Sequence, residues 1–298
     1  MPDGNVELPL RIISGIKPGP TLAITAGVHG SEYCAIVAAH SLARELDPDQ
    51  MSGTVAIIPL VTKAAFEART RWVNPVDGVN PNRAFPGKVD GSMSYQIAHA
   101  VFTELISKSD AYIDMHGGDL MESLFPHVLF SETGKEEVDK ISESLATSFG
   151  VDYVWKILKE DRGTGNAFTE AAFAGVPSML SEVGEDGKLD EANVKIQYDG
   201  IINVMKTLGI LEGRHEMTKK TSKISTMGKF LLSKKGGVFY SISRTGEQVK
   251  RDQLLGEIRS LEGDVVEEIK APFDCVILAI VNNPSVKKSD ITFEILAL

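Results

Sequence analysis

The sequence predicts an α/β domain followed by a small all-β unit. Three observations carry this reading. Short apolar runs alternate with helix-period segments from about Thr21 to Leu208. The helical pattern ends at Gly209. From Lys223 onward, β-type runs recur between turn signals.

Along the chain, Thr21–Ala26 is short, apolar and closed by Gly27, the signature of a buried strand. Glu32–Leu46 has apolar residues at helical spacing without Gly or Pro and reads as a helix, with Ser31 as its expected N-cap. Thr54–Leu60 is a second strand. Asn74–Gly87 is a long loop rich in turn formers, a kind of segment that is usually functional or mobile. Met93–Ser107 is an amphipathic helix, and Ala111–Asp114 is a short strand leading into His116-Gly117-Gly118. Helices follow at Lys135–Phe149 and Ala167–Ala174, a strand at Ser178–Glu182 and a helix at Glu191–Leu208. The boundaries expected are therefore an α/β domain over 1–209, a polar linker over 210–222 and an all-β unit over 223–298. The strands of that unit are read at Gly237–Ser241, Leu255–Ser260, Val276–Val281 and Ile291–Leu296.

A chain of 298 residues with 43% hydrophobic and 24% charged residues has the ordinary mix of a soluble globular protein and can bury a sizeable core. The net charge of -10 argues against a nucleic-acid or anionic-membrane surface, which needs clustered Lys and Arg. Two distant cysteines, Cys34 and Cys275, suggest no disulfide framework and point to a reducing, cytoplasmic setting. The first residues do not read as a signal peptide, and no stretch approaches the roughly 18 apolar residues of a membrane span.

Four segments carry chemistry. His29-Gly30-Ser31-Glu32 sits where a strand meets a helix, the edge at which open α/β sheets bind ligands. An imidazole nitrogen and a carboxylate three residues apart suit one metal ion, although an isolated HxxE arises by chance in many proteins. Asp114-Met115-His116-Gly117-Gly118 ends another strand, and His116 would complete the three protein ligands of a catalytic zinc. Asp114 falls on the same strand face as His116, beside it or as a cap, and the glycines permit close backbone approach. The loop Arg71…Asn82-Arg83 offers donors for a carboxylate or a developing oxyanion. Glu182 closes the strand SMLSE on the same edge, where a carboxylate can take a proton from the attacking water and pass it to a leaving amine. Its neighbour Glu185 lies in an acidic, solvated turn. Arg162 reads equally as a substrate contact and as a surface residue. His40, His99, His127 and His215 read as structural, and Cys34 as a small buried helix residue.

The ordered set GVHGSE, NPNRAFPG, DMHGG and SEVGE resembles the succinylglutamate desuccinylase/aspartoacylase family, within the wider zinc carboxypeptidase-like group. The resemblance covers roughly Thr21 to Leu208. It implies a three-layer domain with a mixed sheet and one zinc ion per chain, held by His29, Glu32 and His116. It further implies that Glu182 is the catalytic glutamate, that Asn82 and Arg83 bind a substrate carboxylate, and that Arg71, with Arg69 as its rival, polarises the scissile carbonyl. Asn80-Pro81 stands where the family usually has an acidic residue and Leu, a departure close to the substrate side. The carboxy-terminal tyrosine of aspartoacylase has no clear counterpart, Tyr240 being the only tyrosine after Gly209. The β unit resembles a barrel-sandwich hybrid without a lysine at a hairpin tip for lipoyl or biotin attachment.

The function expected is hydrolysis of the amide bond of a small N-acylated amino acid or related amine. The alternatives are a zinc carboxypeptidase acting on peptides and a non-catalytic binding protein on the same fold. The partner expected is the acylated small molecule, with no nucleic acid and no membrane, and a homo-oligomer compatible with the sequence.

Overall fold

The computed structural model describes residues 6–213 and 222–298. In chain order, the first unit contains β1 (Arg11–Ser14), β2 (Lys17–Ala26), α1 (Tyr33–Glu45), β3 (Ser52–Ile58), α2 (Lys63–Ala68), α3 (Met93–Glu104) and β4 (Ala111–His116). It continues with β5 (Glu122–Leu124), β6 (His127–Ser131), α4 (Glu136–Ser148), β7 (Tyr153–Ile157), α5 (Ala167–Ala174), β8 (Ser178–Glu182) and α6 (Glu191–Thr207). Then come β9 (Lys223–Ser225), β10 (Gly228–Leu232), β11 (Gly237–Ser241), β12 (Gln248–Val249), β13 (Leu254–Arg259), β14 (Val265–Lys270), β15 (Cys275–Val281), β16 (Ser285–Val286) and β17 (Ile291–Ala297). Among the described residues no helix is long and apolar enough to cross a membrane. Most of the expected linker, with His215, lies outside the described residues.

An eight-stranded mixed sheet forms the first unit, in the order β1-β3-β2-β4-β8-β6-β7-β9. Strands β3, β2, β4 and β8 run parallel, while β6 turns antiparallel to β8. Alternation along each strand sends side chains to opposite faces. Leu22, Ile24, Ile113 and Met115 pack with Leu42 of α1, Leu145 of α4 and Val204 of α6. Ala23, Tyr112 and Leu180 face the other way, onto Val101 of α3 and Phe168 of α5. These are the three expected layers. Asp114 and His116 share the parity of Tyr112, and Glu182 that of Leu180, so all three lie on the α3/α5 face at the carboxyl ends of the strands.

Helix α1 differs from expectation at its start. Its N-cap is Glu32, not Ser31, and no side chain caps it. The Ser31 hydroxyl instead donates to the buried Asp119 carboxylate, a tertiary partner that a local capping pattern does not reveal.

The C-terminal unit is two antiparallel sheets, β10-β17-β15-β12 and β14-β13-β11-β16, around Phe239, Leu255, Ile258, Ile277, Phe293 and Ile295. The chain stitches the units together twice. Strand β5 leaves the first unit and pairs with β15, while Lys223–Ser225, grouped with the β unit by composition, pairs in parallel with β7. Between the two seams, Tyr153 and Trp155 of β7 pack on Val276, Leu278 and Leu296.

Candidate active site

Gly27 turns the chain out of β2 with φ 62°, a left-handed conformation favoured by glycine, and the loop delivers His29 and Glu32 to the start of α1. His116 is the last residue of β4. All three side chains are buried, and their ligand atoms lie within 4.8 Å of one another. His29 Nδ1 is 2.7 Å from Glu32 Oε1, and His116 Nδ1 is 2.9 Å from Glu32 Oε2.

The other imidazole nitrogens each face an oxygen atom. Asn80 Oδ1 lies 3.0 Å from His29 Nε2 and also accepts from the Asn82 backbone N–H at 2.9 Å, so it faces His29 as an acceptor. Asp114 Oδ2 lies 3.2 Å from His116 Nε2. Thr25 Oγ1 donates to Asp114 Oδ1 at 2.9 Å, with the Tyr112 hydroxyl 2.6 Å behind it. With protons on both Nε2 atoms, both Nδ1 lone pairs turn to the Glu32 carboxylate. Glu32 Oε2 is buried with no hydrogen-bond donor. Lone pairs aimed at one point fit a cation, and two imidazoles with a carboxylate are a donor set suited to zinc.

Electrostatics agree. Burial opposes charge on each group, yet Glu32 outweighs it and raises His29, and Glu32 with Asp114 raises His116 well above its ordinary value. Burial likewise pushes Glu32 up, but His116 and His29 hold it at about 2. The space between the three favours positive charge.

Glu182 ends β8 and is the register partner of both His116 on β4 and His127 on β6. Gln197 of α6, fully buried, donates to the His116 carbonyl at 2.6 Å and to the Val183 carbonyl at 3.3 Å, clamping the two strand ends. Gly117 packs so closely that an added Cβ would sit 2.4 Å from the Val183 carbonyl oxygen. The glycine therefore serves strand-end packing as well as the cavity wall. Burial raises the Glu182 carboxyl well above the ordinary range, with His116 opposing and Glu32, Glu122 and Glu294 reinforcing. A carboxyl with raised proton affinity is a better proton acceptor once ionised.

A cavity of about 990 Å³ opens over these groups. His29, Glu32, His116, Glu182, Asn82 and Arg83 all line it. Asn82 Nδ2 lies 3.4 Å from His116 Nε2, and its Oδ1 accepts from the Ala167 N–H at the start of α5. Arg83 donates to the Asn82 carbonyl at 2.6 Å and to Asn166 Oδ1. The structure does not bring every expected residue to the wall. Arg162 pairs with Glu170 at 2.6 Å and stacks on Phe173, which satisfies its charge away from the cavity. Arg71 stacks on Trp72, which does line the cavity, and its buried Nε and Nη2 have no acceptor. Its rival Arg69 is exposed at the end of α2. Sequence reasoning noted Asn80 only as a departure, read His127 as structural, and missed Glu122 and Glu294. Their alternation with Leu124 is a local signal for Glu122; nothing local marks Glu294.

Residues 18–208, from β2 through α6, match the family model of the succinylglutamate desuccinylase/aspartoacylase catalytic domain. The chain belongs to this family. The N-alpha-acetyl-L-2,4-diaminobutyric acid deacetylase of Halomonas elongata is 27% identical over 283 residues, spanning 93% of this chain and 81% of that protein. Among solved structures, a succinylglutamate desuccinylase/aspartoacylase from Rhodobacter sphaeroides superposes with a TM-score of 0.88 at 26% identity, covering 98% of this chain and 89% of that one. The product-bound ectoine utilization protein EutE (DoeB) of Ruegeria pomeroyi gives 0.89 at 26%, covering 98% and 90%. This member of the desuccinylase/aspartoacylase family thus shares its fold with those two solved structures over both units.

Proposed function

We propose that this chain is a zinc-dependent hydrolase that cleaves the amide bond of a small N-acylated amino acid or related amine. The observation that carries the reading is the convergence of His29 Nδ1, His116 Nδ1 and the Glu32 carboxylate beside Glu182 in one cavity. His29, Glu32 and His116 would hold the ion, which supplies Lewis acidity toward water and the acyl carbonyl.

The chain's own groups do the rest. The Glu182 carboxylate accepts a proton from the attacking water and returns it to the departing amine nitrogen. Arg83, held by Asn166, faces the cavity as the partner for a substrate carboxylate, with Asn82 Nδ2 as a neutral donor. Arg71 has unspent buried donors and is the residue we assign to the developing oxyanion. The Halomonas relative, named for removing acetyl from a diamino acid, makes N-acetyl amino acids the first substrates to test.

The test is a hydrolysis panel with zinc-loaded protein: N-acetyl and N-succinyl amino acids, acylated diamines and short peptides. Release of free amine from acyl amino acids and none from peptides is expected. Peptide cleavage alone would favour a carboxypeptidase, and bound zinc without any turnover would favour a binding protein.

A further inference from the structure

The C-terminal unit supplies one wall of the cavity. Across four strands, Leu124 of β5 stands opposite Ala279 of β15, which stands opposite Glu294 of β17, which stands opposite Phe230 of β10. Leu124, Glu294 and Phe230 all line the cavity. Glu122 is two residues before Leu124, so the pleat sends it to the same face, and it lines the cavity too. Both carboxylates are close enough to Glu182 to disfavour its charge.

Arg71 acts on this wall only through space. Among the described residues no Lys or Arg forms an ion pair with Glu122 or Glu294. Burial pushes the Glu122 carboxyl up to about 7, Glu294 and Glu32 add to this, and Arg71 only partly offsets it. Behind Glu294 lies His127, whose side chain is 0% exposed. The Phe125 carbonyl can only accept, so His127 Nδ1, 2.8 Å away, carries a proton. Its Nε2 lies 3.4 Å from Glu294 Oε1 and has no hydrogen-bond partner. Two cavity-lining carboxylates with an unpartnered ring nitrogen behind one of them fit a multiple N–H donor.

We infer that Glu122 and Glu294, backed by His127, form a subsite for a primary ammonium group, so that the preferred substrate is an N-acylated amino acid whose side chain carries a second, free amine. This deepens the deacylase reading and rests on it. Arg83 takes the substrate carboxylate, the scissile amide lies over His29, Glu32 and His116, and the side-chain ammonium reaches the acidic wall. The same wall repels a carboxylate on the acyl group, which selects acetyl over succinyl.

Two measurements test it, one of them independent of turnover. The first compares Nα-acetyl-L-2,4-diaminobutyrate with N-acetyl-L-norvaline, its near-isostere lacking the charge, and with N-acetyl-L-glutamate. The cationic substrate should lead norvaline by at least about thirtyfold in kcat/KM, because an unfilled charged site penalises the neutral analogue. Glu294→Gln and Glu122→Gln should each cut that ratio at least about tenfold. The second titrates zinc-loaded protein with L-2,4-diaminobutyrate and with L-norvaline by calorimetry. Diaminobutyrate should bind at least about tenfold tighter, and the preference should vanish in Glu294→Gln. Equal binding of the two would overturn the subsite even if hydrolysis is found. Selective binding without hydrolysis would uphold the subsite while removing the deacylase reading.

Discussion

Glu182 stands directly opposite His116 across the parallel β4–β8 pair. Neighbouring residues in register project from the same sheet face, so the proposed base is carried beside a proposed metal ligand by backbone pairing alone. Gln197 pins both strand ends, so the relationship depends on α6 as well as on the sheet.

Glu182→Gln keeps the shape and removes the proton acceptor. Zinc content by elemental analysis should be unchanged, and kcat should fall about a thousandfold. Undiminished turnover in this variant would remove Glu182 from the mechanism.

Asp114→Asn and Asn80→Ala act through the imidazole Nε2 atoms. Each should weaken zinc about ten- to a hundredfold in a chelator competition, because the ligand loses its orienting partner. At saturating zinc, kcat should recover much of its value. A variant with normal affinity would show that its histidine needs no such support.

The raised Glu122 carboxyl has a consequence for stability. Its folded value, about 7, lies above the ordinary 4.5, so the unfolded state loses this proton more readily. Its contribution is therefore fully present below about pH 4.5 and is lost as pH rises through 7. The gap corresponds to roughly 3 kcal/mol. Metal-free Glu122→Gln should gain stability over the parent at pH 8 but not at pH 4.5 in urea melts. A gain independent of pH would assign the effect to packing.

Gly117→Ala places a Cβ against the Val183 carbonyl, which is backbone and cannot rotate away. We expect a loss of about 1–3 kcal/mol in thermal denaturation, together with weaker zinc binding as the ends of β4 and β8 separate. Wild-type melting would show that these strand ends shift freely.

Truncation after Gly209 removes β9, which pairs with β7, and uncovers Tyr153, Trp155 and Leu129. The shortened chain should aggregate and lose all turnover, whereas two independent units would leave a soluble first unit in gel filtration. Monodisperse, active protein would disprove the stitching.

Much of the site was legible because it is local. His29 and Glu32 are three residues apart at a strand–helix junction, and Asp114 and His116 share a face by pleat alternation. Strand cores such as Ser178–Glu182 and helices such as Ala167–Ala174 announced themselves through apolar period and a closing glycine. Strands β5, β12 and β16 did not, since two or three residues cannot express a period, and β1, β7, β10 and β14 also went unread. The fate of a loop arginine is equally hidden: nothing local told Arg162 to choose Glu170.

By itself, then, the sequence determined the types of the elements it marked and the candidate ligands, because each is written along one segment, and it pointed to the family through four motifs in order. Only the tertiary structure decided which strand ends meet. It set Glu182 beside His116, turned Asn80 and Asp114 onto the histidines, and carried Glu294 from the β unit to Glu122 through the β5–β15 seam. Register between distant strands is fixed by packing on both sheet faces at once, and that information belongs to no single stretch of chain.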